Sequence, residues 1–393
     1  MLPKNLKPVA LCATLLLTAF FSNAQGPIIK NQLLQQLPDK QGAVKAIDAL
    51  TLFLAAKDKP NSENAYVLKS ELITTSDLLD EMKGIDDYVK DTVKEKYYYK
   101  CYVTNMIQLD TDNYLMQLSY IGAANNYAAL RASYRLLAKR VDGKFYIYSP
   151  LKQNTISWKT KTYGNLTCHY KTGFNAADVK AYQQKVAFYD SKLNLPNEPI
   201  NYYYCDNFVE AQQLLGIDYK MDYSGVKYDS FSAHENNTTL VISGDADHPH
   251  HFNAHDLWHE RLRMAMSKTV INRPVDEGCA YLYGGSWSYT WPELVEKFKS
   301  YATANPNADW LSLYTNSVPF ESGNKGLYIA YQLNALIVQK IEKEKGFDAV
   351  LPLLSCGPRQ KGDDNYFAAL EKATGITKAD FNAEMWKLVK EEK

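Results

Sequence analysis

The feature that most constrains this chain is the stretch 255–259, which reads His-Asp-Leu-Trp-His. Two histidines four residues apart lie on one face of a helix, so both imidazoles can reach the same point. Glu277 follows His259 by 18 residues, which leaves room for the first helix to end and a second to pass beside it. A His/His/Glu set binds zinc and keeps a fourth coordination position open for water. The spacing therefore predicts a metal site formed by His255, His259 and Glu277.

The pattern resembles the gluzincin metallopeptidases, and among them the peptidase MA-like group, whose motif is H-E-x-x-H with a glutamate further along the chain. In this chain the motif has the variant form H-D-x-x-H. The resemblance implies a zinc-dependent hydrolase that acts on peptide bonds, with Asp256 in the position of the general base. It also implies a tyrosine on a later helix that stabilises the oxyanion, for which Tyr328 and Tyr331 are the candidates.

The aspartate at position 256 leaves more than one function open. Its carboxylate reaches about 1.5 Å less far than a glutamate, and a misplacement of about 1 Å can slow a reaction on the order of a hundredfold. The chain is therefore either a working peptidase or a catalytically impaired pseudopeptidase that binds a protein or peptide in its cleft. A third hypothesis is a non-enzymatic binding module led by the N-terminal part. Glu260 is a weaker candidate for the base, and it is also placed to form a salt bridge with Arg261 or Arg263.

Other polar residues near the motif have two interpretations each. Asp276 either orients a ligand histidine through its free ring N–H or caps the second helix. The histidines at 248, 250 and 251 could form a metal-capture loop. We favour a solvated loop at the mouth of the cleft, or a supporting role, for each of the three.

Composition and the N-terminus exclude some classes of protein. The chain has 44 basic and 44 acidic residues, and this zero net charge argues against nucleic acid as a partner. Lys4 and Lys7, an apolar run at 9–21 and a small-residue cleavage site at Ala24 have the form of a signal peptide. We expect export to the periplasm or medium, without a transmembrane segment, since no later apolar run approaches about 18 residues. The cysteines after residue 24 show no paired spacing, which favours mostly buried free thiols.

The apolar pattern predicts an α+β fold in two domains. Residues 25–155 show helices followed by an antiparallel meander, with Asp142 and Gly143 as a two-residue hairpin turn. This order of elements resembles the NTF2-like or cystatin-like folds. The resemblance to the gluzincins implies that residues 156–393 form a gluzincin-like, zincin-type peptidase domain, in which a mixed sheet precedes a helical half. One predicted helix, at 326–344, would carry both candidate tyrosines.

Overall fold

The computed structural model describes residues 26–90, 93–124, 127–246, 248–321 and 326–392. The predicted signal peptide, residues 1–24, lies outside the described residues. The elements up to residue 155 are β1 (Ile28–Ile29), α1 (Asn31–Gln35), α2 (Lys40–Ala55), α3 (Leu72–Met82), β2 (Tyr88–Lys90), β3 (Val93–Glu95), β4 (Lys100–Gln108), β5 (Asn113–Ala124), β6 (Tyr127–Val141), β7 (Lys144–Tyr148) and α4 (Leu151–Asn154).

The rest of the chain continues with strands and then becomes mainly helical, so the predicted α+β class is confirmed. Its elements are β8 (Lys159–Tyr163), β9 (Leu166–Tyr170), α5 (Ala176–Leu193), β10 (Ile200–Tyr204), α6 (Phe208–Leu215), β11 (Ile217–Lys220), β12 (Ser230–Glu235), β13 (Thr238–Ser243), α7 (Ala254–Ala265), α8 (Arg273–Gly284), α9 (Trp291–Ala304), α10 (Trp310–Thr315), β14 (Pro319–Glu321), β15 (Leu327–Tyr328), α11 (Ile329–Lys345), α12 (Leu351–Leu354), α13 (Asp364–Thr374) and α14 (Phe381–Glu391).

The first sheet has the strand order β1-β4-β5-β6-β11, with β7 also paired to β6. The predicted hairpin between β6 and β7 is confirmed. Asp142 has φ 49° and Gly143 has φ 78°, and positive φ at both central residues is typical of a type I′ turn. Alternate side chains of β5, including Tyr114 and Met116, pack with Phe53 of α2 in one core. This sheet therefore buries one face against the N-terminal helices.

The second sheet has the order β12-β13-β10-β9-β8 and is mixed, because β9, β10 and β13 run parallel while both edge strands are antiparallel. β13 is buried on both faces. Leu240 and Ile242 belong to the core shared with the first sheet, whereas Val241 belongs to the core of the C-terminal helices. Such two-sided burial explains the run of apolar residues in this strand. The second sheet is thus the middle layer between two cores.

The packing crosses the boundary that the sequence suggested near residue 155. β11 pairs with β6 of the first sheet. Phe208 and Leu215 of α6 lie in the same core as the side chains of β5 and β6. The first core therefore includes segments from both sides of residue 155, and the division at that point stays a prediction.

The two helices that carry the predicted metal ligands lie side by side among the C-terminal helices. α7 follows β13 and packs against α5 and α8. A buried ion pair at 2.6 Å, from Arg261 Nε to Asp190 Oδ1, joins α7 to α5. α8 also approaches α11 closely, since a Cβ placed on Gly278 would lie 2.7 Å from the Cβ of Asn334. This packing determines where the face of α8 that carries Glu277 points.

Some elements differ from the prediction. The helix predicted at 326–344 begins only at Ile329, because Leu327 and Tyr328 pair with β14 as the short strand β15. α3, β11 and β12 were not predicted. All five cysteines of the described residues are free, and three of them are buried. Within the same described residues, no helix is both long and apolar enough to span a bilayer.

Candidate metal centre

α7 presents His255 and His259 one turn apart on the side that faces α8. The helix begins after Asn253, whose side-chain oxygen accepts a hydrogen bond of 3.0 Å from the backbone N–H of His255. Such a cap satisfies one of the free N–H groups of the first turn. The buried side chains of Leu257 and Trp258 anchor the helix in the core. The rotation of α7 is therefore set by packing, and the two histidines are held at the edge of the core.

α8 brings the carboxylate. The helix begins at Arg273 with Pro274 in its first turn, a position where proline is tolerated because no N–H is needed there. Glu277 lies one turn later and faces the two histidines. The structure thus brings together the three residues predicted as ligands, although they come from two separate helices.

The donor atoms of the three ligands are close enough to share one ion. His255 Nε2 lies 3.2 Å from His259 Nε2. Glu277 Oε2 lies 3.5 Å from His255 Nε2 and 3.8 Å from His259 Nε2. Ligands arranged tetrahedrally at zinc bond lengths of about 2.0–2.2 Å are about 3.3 Å apart. The three distances fit a tetrahedral zinc site with one position left open.

Hydrogen bonds on the far side of each imidazole select the tautomer that a metal needs. His255 Nδ1 donates to the carbonyl oxygen of Gly285 at 2.7 Å. His259 Nδ1 donates to Asp276 Oδ1 at 2.8 Å, and the same oxygen accepts from Trp258 Nε1 at 3.0 Å. With the proton on Nδ1, each Nε2 keeps its lone pair for a cation. Of the two roles considered for Asp276, the contacts are those of the orienting residue; Asn272 is the N-cap of α8.

The imidazole of His255 and the carboxylate of Glu277 each stabilise the charged form of the other. Burial alone would lower the pKa of His255, but the hydrogen bond and charge of Glu277 raise it above its ordinary value. Burial alone would raise the pKa of Glu277, but the neighbouring imidazoles and Arg273 lower it. Glu277 is therefore ionised and available as an anionic ligand. Protons compete with a cation for the imidazole, as in any histidine metal site.

Asp256 and Glu260 lie on α7 but differ in their surroundings. Asp256 is exposed, lines the cleft beside Glu277 and accepts a hydrogen bond of 2.5 Å from Asn253 Nδ2. Glu260 lines two neighbouring cavities of about 240 and 330 Å³. Burial and the nearby Asp256 raise the pKa of Glu260 to about 7, although a hydrogen bond with Ser232 opposes the shift. Asp256 also lines the smaller of these two cavities, so the two carboxylates share that space, but of the two only Asp256 lines the cleft that contains Glu277.

The two candidate tyrosines both line the cleft. Tyr328 immediately precedes α11 and Tyr331 lies in its first turn, with ring centroids 5.2 Å apart. Burial and the charge of Glu277 raise the pKa of Tyr331, while Arg273 opposes the shift. Arg273 Nε in turn lies 3.5 Å from Glu277 Oε1. Tyr331 is therefore a protonated hydroxyl within the charge network of the site.

The three additional histidines are not a single group. His248 pairs with Asp245, and His250 Nδ1 lies 3.4 Å from Asp178 Oδ1. Both histidines line the cleft. His251 instead is buried; its Nε2 donates to the carbonyl oxygen of Cys205 at 2.9 Å, and its ring stacks on Tyr204. This one histidine supports the loop before α7 and does not face the cleft.

The cleft over the three ligands has a volume of about 740 Å³, within the range of small-molecule and peptide-binding sites. Part of its wall is a tight turn at 285–289 that the sequence analysis missed. Gly285 supplies the carbonyl that orients His255, and Trp287 and Ser288 extend into the lining. The Gly-Gly-Ser sequence after the second helix is a turn signal, but it does not indicate which carbonyl meets the histidine.

A scan against protein-family models finds no family that matches this chain, and a search of curated proteins finds no similar sequence. The resemblance to the gluzincins therefore stays a prediction from the motif, and the proximity of His255, His259 and Glu277 is a separate structural observation.

Proposed function

We propose that this chain is a zinc-dependent metallopeptidase of the gluzincin type that is exported from the cytoplasm. The observation that carries the proposal is the convergence of His255 Nε2, His259 Nε2 and Glu277 Oε2 within 4.8 Å. The hydrogen bonds of both Nδ1 atoms support it, because they leave the right nitrogen of each ring free. Export is inferred from the N-terminal signal alone.

The chain's own residues account for the remaining parts of such a reaction. A zinc ion held by the three ligands would supply a water of lowered pKa and would polarise a carbonyl group. Asp256, which is exposed in the same cleft, would take a proton from the attacking water and return it to the leaving amine. Tyr331 stays protonated, so its hydroxyl can donate a hydrogen bond to the developing oxyanion. Tyr328, on the same wall, is the second donor.

A catalytically impaired pseudopeptidase is the second candidate, and one contact favours it. Asp256 is one methylene shorter than glutamate, and Asn253 Nδ2 holds its Oδ2 at 2.5 Å. A carboxylate engaged by the helix cap is less free to meet a water above the ligands. In that case the cleft would bind a peptide without cleaving it.

Replacement of Asp256 separates the two functions. The wild type, Asp256→Glu and Asp256→Asn are loaded with zinc, and cleavage of a mixed peptide library is followed by mass spectrometry. We expect cleavage by the wild type, faster cleavage by Asp256→Glu, and a loss of about a hundredfold or more in Asp256→Asn. Zinc content should be equal in all three, since Asp256 is not a ligand. Full zinc occupancy without cleavage by either carboxylate form would contradict the peptidase and favour the pseudopeptidase.

A further inference from the structure

The turn at 285–289 has an unusual conformation for its sequence. Ser286 and Tyr289 exchange two backbone hydrogen bonds of 2.9 and 2.8 Å. Between them, Trp287 has φ 50° and Ser288 has φ 68°. Positive φ at both central residues defines a type I′ turn, which asparagine and glycine adopt most readily. A bulky tryptophan is unfavourable there, and such strain is a reason to look for a function.

The indole of Trp287 is also exposed where a large aromatic side chain is normally buried. Its exposed fraction is 53%, and the residue lines the cleft over the metal ligands. Among the residues that the structure describes, no aromatic ring stacks on it. The same residue thus combines an unfavourable backbone conformation with an exposed apolar surface that faces the cleft.

The turn is held at a defined position relative to the metal ligands. The carbonyl of Gly285 accepts the Nδ1–H of His255 at 2.7 Å. Gly285 has φ 77°, and a Cβ at this position would collide with the carbonyl oxygen of Tyr289. Trp287 is two residues further along, so its Cα lies at most about 7 Å from that of Gly285. Trp287 therefore closely follows the residue that orients His255, and it lines the same cleft as His255 and Glu277.

We propose that Trp287 determines specificity by contacting an aromatic or large aliphatic side chain of the peptide, next to the bond that reacts. This proposal rests on the proposed function, because it takes the occupant to be a peptide. The lining of the cleft favours such a side chain, since Tyr289, Tyr328 and Tyr331 line it together with Trp287. Aromatic rings in contact gain attraction beyond the area that they bury. The unfavourable turn is then retained because it presents the indole to the substrate.

The proposal is tested with Trp287→Asn, because asparagine suits the type I′ turn and removes the indole. Tyr127→Ala is the matched control, since Tyr127 is an aromatic residue that is 80% exposed on β6. Two fluorescent peptides are used, one with Phe and the other with Ala at the same position. Each zinc-loaded protein is added to each peptide, and the dissociation constant is measured from the fluorescence anisotropy of the peptide. We expect the wild type and Tyr127→Ala to prefer the Phe peptide about tenfold, and Trp287→Asn to prefer it less than about twofold. Zinc content should not change.

Thermal unfolding distinguishes a role of Trp287 in specificity from a role in stability. If Trp287 stabilised the fold, Trp287→Asn would lower the Tm. Trp287→Asn should keep or raise the Tm, because asparagine tolerates positive φ better. A lower Tm, a preserved Phe preference, or equal or absent binding of the two peptides by the wild type would each overturn the proposal. Selective binding of the Phe peptide without its hydrolysis would leave this subsite intact and count against the peptidase. Hydrolysis of both peptides without a preference for Phe would overturn the subsite and support the peptidase.

Discussion

Replacing Asp276 tests how strongly the surroundings of the ligands control metal binding. Asp276 Oδ1 accepts hydrogen bonds from His259 Nδ1 at 2.8 Å and from Trp258 Nε1 at 3.0 Å. Asp276→Ala removes both acceptor contacts at once. Loss of such a partner typically lowers metal affinity by about 10- to 100-fold, or about 1.4–2.8 kcal/mol. Trp258 is fully buried, so its unpaired N–H should also lower the free energy of unfolding by about 1–3 kcal/mol.

The two effects are measured separately. Zinc affinity is determined by competition with a chromophoric chelator, and urea unfolding of the metal-free protein reports stability. Asp276→Asn is the matched control, because its amide oxygen can still accept from His259, and we expect it to fall between the wild type and Asp276→Ala. If Asp276→Ala loses stability but binds zinc within twofold of the wild type, the orienting role of this carboxylate is refuted.

Two further predictions concern residues outside the ligand set. Gly278→Ala should lower the free energy of unfolding, measured in urea, by about 1–3 kcal/mol, because the new Cβ would lie 2.7 Å from the Cβ of Asn334. Unchanged stability would contradict the close packing of α8 and α11. Burial raises the pKa of Asp77 well above 3.8, so ionisation favours the unfolded chain as the pH rises above about 4. Asp77→Asn should therefore be more stable than the wild type near pH 7, with the difference shrinking below about pH 4; a constant difference across this range would contradict it.

The proximity of the three candidate ligands could be predicted because the spacing of the two histidines is local. A four-residue separation places His255 and His259 on one face of any helix, whatever surrounds it. Glu277 had only to reach that face from the next helix. The orienting carbonyl of Gly285 could not be predicted, because a backbone oxygen carries no residue signature. The strained turn at Trp287 was missed because tryptophan is a residue that rarely occupies such a turn, so its presence argued against one.

The fold shows a similar division between local and tertiary signals. Asn236 and Asn237 separate β12 from β13, and their φ angles of 51° and 57° are those of a type I′ hairpin. The alternation of polar and apolar residues at the start of Ser230–Glu235, followed by two asparagines, thus indicates a strand and hairpin that the prediction overlooked. α3 was harder to predict, because polar residues such as Thr74 and Asp77 interrupt its apolar pattern. Tertiary packing nevertheless buries these side chains. The start of α11 was misplaced because Leu327 and Tyr328 pair with β14, and the apolar pattern of the following helix does not show where this short strand ends.

The central claim is that three side chains from two helices bind one divalent ion, and metal content tests it most directly. The purified protein and a His259→Ala variant are dialysed against a weak chelator and their zinc is measured by elemental analysis. The account predicts about one zinc per chain in the wild type and little or none in the variant. Equal zinc in both proteins, or no zinc in a folded wild type even after incubation with the ion, would contradict it.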